Sequence, residues 1–212
     1  MSNRIVYVGA ERCDFLYHFI NILSTMGDVL VADNSIRCDL FTSLCKDKNE
    51  NVYEWRNVTY VKCLDITASD TSEYDYVVIY AGMDPAPEYF DPETFVLAMP
   101  DYTAQSIEVV DNIYNELSNC RSLVILRDFC TKKITDKSVA TLLTMNPKMI
   151  EGHITLTAQD MAAYVALTHN GHQNIKGVSG EMLTALTFAT ARYFETDEKK
   201  AQKIVAAARK IK

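Results

Sequence analysis

The 212-residue sequence lacks any apolar run near the roughly 20 residues that a membrane-spanning helix requires. The opening stretch, MSNRIVYVGAERCDF, meets charged residues too soon to contain the long apolar region of a secretory signal. None of the six cysteines belongs to a C-x-x-C pair, and several stand inside apolar runs, which favours reduced thiols over a disulfide framework. We therefore expect a cytoplasmic protein with no stable membrane insertion.

Positive charge is also scarce. Lys and Arg number 21 against 28 Asp and Glu, which gives a formal net charge of -7. Binding to a nucleic-acid backbone needs a surplus of basic residues, so no nucleic-acid partner is expected. Basic residues concentrate only in the tail KKAQKIVAAARKIK, within a predicted C-terminal helix over about residues 196–212. Its mainly alanine apolar side favours a solvated helix packed on the domain; the alternative is contact with a membrane or an acidic partner.

The remaining pattern is that of an ordinary globular chain, 48% hydrophobic and 23% charged. Short apolar runs rich in Val, Ile and Leu alternate with longer segments of helical period, which is typical of βαβ units and a mainly parallel sheet. The runs are continuous, so both faces of the sheet should be covered. We predict one domain over residues 1–212, a three-layer α/β/α sandwich of about seven strands. The predicted strands are 4–9, 28–33, 58–63, 75–80, 94–99, 122–127 and 150–156.

Capping residues mark where the intervening helices should begin. The predicted helices are residues 12–26, a helix capped by Asp101 that runs through Leu117, a helix that opens with a capping box of Thr157 and Asp160, a helix from Ser179 to about Tyr193, and the tail from Glu195. Two polar stretches, 46–57 and 81–92, are predicted to be exposed connections.

Four segments carry a resemblance to a known family. They are VLVADNSIRCDLF at 29–41, YDYVVIYAG at 74–82, FVLAMPDYTAQSIEVVDNIYNEL at 95–117 and ITLTAQDMAAYVALTHNG at 154–171. Taken in order, they resemble the MinD/ParA/CpaE group of deviant-Walker P-loop ATPases over nearly the whole chain. The resemblance implies the P-loop NTPase-like fold of that group. It also places the vestiges of a nucleotide site at five positions: Gly9, Arg12, Asp33, Arg37 and Tyr80.

The residues that bind ATP in that group are absent from this sequence. A phosphate loop needs several glycines and a lysine, whereas only Gly9 follows the first strand and no lysine occurs before Lys46. Glu11 and Asp14 would place negative charge beside a triphosphate, and Arg12 could form an ion pair with one phosphate only. Tyr80 stands where the group has its metal-supporting aspartate, and a tyrosine is un-ionised at neutral pH. We therefore expect no nucleotide cofactor and no ATP hydrolysis.

Three other kinds of site have candidate residues in the sequence. Asp33 lies about 20 residues beyond the first strand, as in a dinucleotide-binding unit, but the G-x-G-x-x-G turn is missing. His169 and His172 could share a metal, yet Asn170–Gly171 between them indicates the end of a helix, so no metal is expected. Cys13 could be a reactive thiol near a helix start, although a structural role is favoured.

Two functions follow as hypotheses. The first is a pseudo-ATPase that works as a dimerising scaffold or regulatory partner in spatial positioning of a cellular machine, of the pilus, secretion or partition type. Its partners would be proteins: a second copy or a related active ATPase. The contact surface would comprise residues 9–12, 33–37 and 81–89.

The second hypothesis is an enzyme or sensor that binds a small ligand in the crevice at the carboxyl ends of the strands, where open α/β sheets place ligands. The residues that could line such a crevice are Arg12, Asp33, Arg37, Tyr80 and Asp84.

Overall fold

The computed structural model describes residues 3–9, 12–47, 49–129, 149–155, 157–172 and 175–210. The strands within those ranges are β1 (Asn3–Gly9), β2 (Val29–Asp33), β3 (Val52–Trp55), β4 (Val58–Lys62), β5 (Tyr76–Gly82), β6 (Phe95–Met99), β7 (Arg121–Phe129) and β8 (Ile150–Thr155). The α-helices are α1 (Asp14–Leu23), α2 (Asp39–Leu44), α3 (Ala104–Asn112), α4 (Tyr114–Asn119), α5 (Ala158–Asn170), α6 (Gly180–Tyr193) and α7 (Glu198–Ala208). Leu156, the end of the last predicted strand, and residues 211–212 of the predicted tail helix lie outside the described residues.

The strands form one sheet in the order β3-β4-β2-β5-β1-β6-β7-β8. All neighbours are parallel except β3 and β4. Ile5 and Tyr7 of β1 point into one core, which α1, α2, α6 and α7 cover, and Val6 and Val8 point into the other, which α3 and α4 cover. Every predicted strand is present, and the predicted three-layer sandwich is confirmed.

The predicted exposed connection at 46–57 is wrong in part, because residues 52–55 form β3. This short strand pairs antiparallel with β4 through a tight turn in which Arg56 has φ of 57°. Val52 and Glu54 are exposed, while Tyr53 and Trp55 are partly covered. The alternation is only four residues long among charged neighbours, so it gives a weak strand signal.

His172 fixes this hairpin to the rest of the domain. Its Nε2 lies 2.7 Å from the Tyr53 hydroxyl and its Nδ1 3.2 Å from the Tyr17 hydroxyl of α1. The Trp55 ring stacks on the imidazole with 3.7 Å between centroids. Burial, together with repulsion from Arg56, lowers the pKa of His172 to about 4, so the ring is neutral near pH 7. The histidine considered as a metal ligand is therefore held between aromatic side chains.

Replacing His172 by alanine should release the hairpin and reduce the free energy of unfolding by about 2 kcal/mol, because a stacked ring and two hydroxyl contacts are lost. Trp55 is the only tryptophan in the chain, so its emission reports on the site directly. We expect a shift of that emission to longer wavelength in His172→Ala. The matched control is His169→Ala, at an exposed position of α5. Unchanged emission in His172→Ala would contradict the assignment.

The helix caps are mostly where the sequence places them. Thr157 accepts a hydrogen bond from the Asp160 amide at the start of α5, and Ser179 caps α6 in the same way. The prediction that Asp101 caps the helix after β6 is wrong, since Thr103 is the cap of α3. Asp101 instead accepts hydrogen bonds from the amide and hydroxyl of Thr103. The Asp101 carboxylate therefore orients the capping residue Thr103 and does not itself cap the helix.

The basic C-terminal helix packs on the domain. Ala201, Val205 and Ala208 of α7 are buried, while its lysines face outward. The alanine face of this helix is therefore turned inward, as predicted. No helix among the described residues has both the length and the apolar character needed to cross a membrane.

Candidate functional site

The candidate site lies at the carboxyl ends of the parallel strands, where β1 passes into α1. Gly9 ends β1 with φ of 138°, a conformation that side chains rarely adopt. A Cβ at this position would also collide with the main chain of Met99 in β6. Gly9, the one glycine at the position of the family's phosphate loop, is thus required by the close approach of the neighbouring strand. Glu11 lies outside the described residues.

Asp14 is the first residue of α1, and its carboxylate occupies the start of that helix. Oδ1 lies 3.0 Å from the Phe15 amide nitrogen and 2.7 Å from Nη2 of Arg127. Oδ2 lies 2.7 Å from Nη2 of Arg12. A helix N-terminus attracts anions through its free amides and its dipole. Here the anion at that position is a side chain of the protein itself.

Arg127 completes this arrangement from the end of β7. Its side chain is only 1% exposed, and its Nη1 donates a hydrogen bond of 2.9 Å to the Arg12 carbonyl oxygen. Its Nε lies 3.4 Å from the Asp128 carboxylate. A charge with so little exposure requires close partners, because transfer out of water is costly. Arg127 thus joins β7 to α1 through charged contacts.

Arg12 links the same groups on the solvent side. Its Nη1 lies 2.9 Å from Asp128, and its guanidinium stands over the Tyr164 ring of α5 at 5.1 Å. Arg12, Asp14, Arg127 and Asp128 together carry two positive and two negative charges. We call these four residues the charge cluster. It satisfies its own charges and offers no surplus positive charge to an incoming phosphate.

The electrostatics support this description. Burial raises the pKa of the Asp14 carboxyl, but attraction to Arg127 and Arg12 and the hydrogen bonds from both outweigh it and lower the pKa to about 2. Burial alone would lower the pKa of Arg127, whereas attraction to Asp14 raises it well above its ordinary value. Both residues therefore remain charged across the physiological pH range.

Asp33, at the end of β2, is fully buried and holds the following turn. Oδ1 accepts hydrogen bonds from the amide and hydroxyl of Ser35, and Oδ2 accepts one of 2.8 Å from the Phe41 amide in α2. The sequence places Asp33 where a ribose-binding acid or a residue of a nucleotide site would stand. The geometry supplies the capping role and leaves no part of the carboxylate at the surface.

The other predicted site residues are dispersed. Tyr80 is fully buried beneath the sheet edge, with its ring edge-on to Tyr7 at 5.5 Å, and burial raises the pKa of its hydroxyl. Arg37 and Asp84 are exposed in separate loops. Of the five vestigial positions, only Arg12 belongs to the charge cluster. Cys13, which directly precedes α1, is buried, and burial raises the pKa of its thiol.

Sequence reasoning missed Arg127 and Asp128. Arg127 was counted as the last residue of an apolar strand, and Asp14 was considered only as an obstacle to phosphate. The available signal was the Arg-Asp pair that directly follows the apolar run SLVIL. An arginine at the end of a strand covered on both faces requires a buried counter-ion, but the sequence does not say which carboxylate supplies it.

One face of α5 beside the charge cluster is mainly apolar, and His169 and Asn170 lie at its C-terminal end. Met161 and Val165 are 37% and 46% exposed, and Ala158 and Ala162 lie on the same face. Asp160 is the only charged residue of the helix, and it is turned inward to accept hydrogen bonds from Ser179. We call Ala158, Met161, Ala162, Val165 and Ala166 the α5 face. On a chain that is 23% charged, such a surface is typical of protein contact sites.

No protein-family model matches the chain, and no curated protein matches it in sequence. Similar solved structures were found. A plasmid partition protein from Borrelia burgdorferi, solved with AMPPNP bound, aligns over 94% of this chain and 100% of its own length, with 13% identity and a TM-score of 0.56. MinD from Aquifex aeolicus covers 98% of this chain and 95% of its own, with 14% identity and a TM-score of 0.51. MinD in the MinC:MinD complex of Aquifex aeolicus gives 13% identity, the same coverage and a TM-score of 0.53.

Identities this low show the fold alone. The alignments nevertheless span nearly the whole length of both chains in each pair. The chain therefore has the MinD/ParA-type α/β fold.

Proposed function

We propose that the chain is a pseudo-ATPase of the MinD/ParA fold that neither holds nor hydrolyses ATP. It acts in the cytoplasm as a dimerising scaffold or regulatory partner in the spatial positioning of a cellular machine, of the pilus, secretion or partition type. The observation that carries the proposal is the Asp14 carboxylate, clamped by Arg127 and Arg12 at the N-terminus of α1. A phosphate would have to displace an anion that already has two short ion pairs.

The sequence supports the same conclusion from a second direction. A triphosphate needs donors that stabilise its charge, and no lysine precedes Lys46. Among the described residues, Arg12 and Arg127 are the cations near the start of α1, and both form ion pairs with carboxylates. Tyr80 stands at the position of the metal-supporting aspartate in the resemblance. Its side chain is un-ionised and has no solvent-exposed surface. Loss of the loop, the lysine and the metal support removes most of the catalysis available to such a site.

The scaffold role draws on the surface beside the charge cluster. Tyr164 of α5 contacts Arg12, and α5 packs on α2, so the α5 face borders the filled site. Ile36, in the loop before α2, is 84% exposed and adds an apolar side chain at the same edge of the sheet. A fold relative, MinD, has been solved in complex with a protein partner, MinC. We infer that this chain uses the α5 face for a protein contact that needs no nucleotide.

The small-ligand hypothesis is not favoured by the geometry. Asp33 and Tyr80, two of the five residues expected to line the crevice, have no exposed surface. Arg12 is 14% exposed and has two carboxylate partners.

Isothermal calorimetry with ATP, with and without Mg²⁺, tests the pseudo-ATPase directly. We expect no binding heat up to millimolar nucleotide and no phosphate release above that of a protein-free blank. A dissociation constant in the micromolar range, about −8 kcal/mol of binding free energy, would overturn the proposal.

Val165→Glu tests the scaffold separately. We expect the chain without nucleotide to be a dimer by light scattering, and a glutamate on the α5 face to raise the dimer dissociation constant by at least tenfold, since an unpaired charge must be buried. Gln105→Glu is the matched control, because it adds the same charge at an exposed position of α3 on the opposite side of the sheet. A monomeric wild-type chain would refute the homodimer and leave the calorimetric result unaffected.

A further inference from the structure

Two cysteines meet at the edge of the sheet, outside the charge cluster. Cys38 lies just before α2, and Cys63 directly follows β4. The neighbouring strands β2 and β4 bring them together, since the Cys63 amide donates a hydrogen bond of 3.1 Å to the Asp33 carbonyl oxygen. The two Sγ atoms are 3.6 Å apart, and both thiols are free.

The two thiols differ in access to solvent. Cys63 is exposed, whereas Cys38 is 9% exposed and lies behind it. The Cys38 Sγ is held in place, 3.5 Å from the carbonyl oxygen of Asp33 and 3.6 Å from that of Ser35. Burial and the neighbouring Cys63 thiol raise the pKa of Cys38 to about 12. An oxidant in solution therefore meets Cys63 first, with a second sulfur positioned in contact.

The backbone around the pair can adjust without loss of regular structure. A disulfide needs an S–S separation of about 2.05 Å, so the sulfur atoms must approach by about 1.5 Å. Cys38 and Cys63 each lie outside the helices and strands, in left-handed turns with φ of 49°. Side-chain rotation and small changes in these two turns can supply the movement.

We propose that Cys38 and Cys63 form a dithiol that hydroperoxides oxidise to an intramolecular disulfide. The Cys63 thiolate attacks one peroxide oxygen, which breaks the O–O bond, gives a sulfenic acid on Cys63 and releases the other oxygen as water or alcohol. The Cys38 sulfur then attacks the Cys63 sulfur, forms the S–S bond and expels the sulfenic oxygen as water, which also takes the Cys38 proton. The two sulfurs lose two electrons in total, and the peroxide gains them.

The disulfide would fasten the loop of residues 34–38 to the end of β4. The modification site is independent of the proposed function, since it needs neither a partner nor an empty or filled nucleotide site. Other described thiols are placed differently: Cys13 and Cys45 are buried, and Cys120 donates to the Asp91 carbonyl oxygen at 3.2 Å.

The test treats the folded full-length chain with a small excess of hydrogen peroxide and analyses it by non-reducing peptide mass spectrometry. We expect a peptide pair joined through Cys38 and Cys63, 2 Da lighter than the two thiol peptides, and its disappearance after dithiothreitol. Free-thiol titration should show a loss of two thiols per chain at a rate independent of protein concentration. Absence of the linked pair in the wild-type chain, or linkage only between chains, would overturn the proposal.

Two variants separate the steps. Cys38→Ser should leave a Cys63 sulfenic acid that dimedone traps, with at least tenfold more adduct than in the wild type. Cys63→Ser should leave Cys38 as a thiol under the same treatment. The matched control is Cys120→Ser, which should form the linked pair at the wild-type rate. Equal dimedone labelling of Cys63 in the wild type and in Cys38→Ser would contradict a resolving role for Cys38.

Discussion

Replacing Arg127 by methionine is expected to lower the free energy of unfolding by about 3–5 kcal/mol, as measured by urea denaturation. The substitution keeps much of the side-chain volume and removes the cation. Asp14, only 3% exposed, then loses its main counter-ion while Arg12 remains as a second one. A carboxylate left without its partner in a buried position is destabilising by that amount, far more than the loss of an exposed pair.

The matched control is Arg4→Met. Arg4 and Asp91 form an ion pair of 2.9 Å, close to the 2.7 Å of Arg127 and Asp14, but their side chains are 32% and 42% exposed. The control should change the unfolding free energy by at most about 1 kcal/mol. The double variant Asp14→Leu/Arg127→Met removes both buried charges and should recover much of the lost stability. If Arg127→Met is no more destabilising than Arg4→Met, the charge cluster does not join β7 to α1 as described.

The fold could be predicted from sequence because its signals are local. Each central strand is a continuous apolar run, and burial on both faces is the state that such a run specifies. Thr157 and Ser179 signal helix starts in the same local way. The edge strand β3 was not predicted because it is short and half exposed. The side chain that holds Tyr53 and Trp55, His172, also lies more than 100 residues away in the sequence.

The site was harder to predict because its contacts join distant parts of the chain. Asp14 and Arg127 are 113 residues apart, and nothing around Asp14 indicates that a cation from β7 will meet it. The resemblance drew attention to Arg12, Asp33 and Tyr80. Of these, Asp33 and Tyr80 are fully buried side chains within the fold. The sequence predicts that a phosphate loop is absent, but it does not indicate which side chains lie at the start of α1.

The charge cluster also explains how the fold tolerates that absence. The start of α1 leaves amide groups without partners within the helix, and its dipole favours a negative charge there. A bound phosphate can supply that charge, and Asp14 supplies it from within the chain. Arg127 and Arg12 then balance the carboxylate. One free amide at the start of α1, that of Phe15, is thus satisfied without a ligand.

A second large effect is expected from pH, and it centres on His18 of α1. The side chain is 1% exposed, and no hydrogen-bond partner for its Nδ1 occurs among the described residues. Burial lowers the pKa of His18 to about 4, against the opposing attraction of Asp14 and Asp160. The histidine pKa in the unfolded chain is near 6.5. Between pH 6.5 and 4, His18 is therefore protonated in the unfolded chain and neutral in the folded chain. The contribution of neutral His18 to the free energy of unfolding should be fully present above pH 6.5. It should fall by about 3 kcal/mol by pH 4.

His18→Gln isolates this contribution, since glutamine keeps a polar side chain and does not titrate. Between pH 6.5 and 4, its unfolding free energy should fall less steeply than that of the wild type. The difference between the two slopes should be at most about 1.4 kcal/mol per pH unit. His169→Gln on the exposed side of α5 should retain the wild-type slope. The Asp14 contribution is separable, because a carboxyl pKa lowered to about 2 stabilises the fold above pH 4 and is lost only as the pH falls from there towards 2. Identical slopes for the wild type and His18→Gln would show that His18 is protonated in the folded chain.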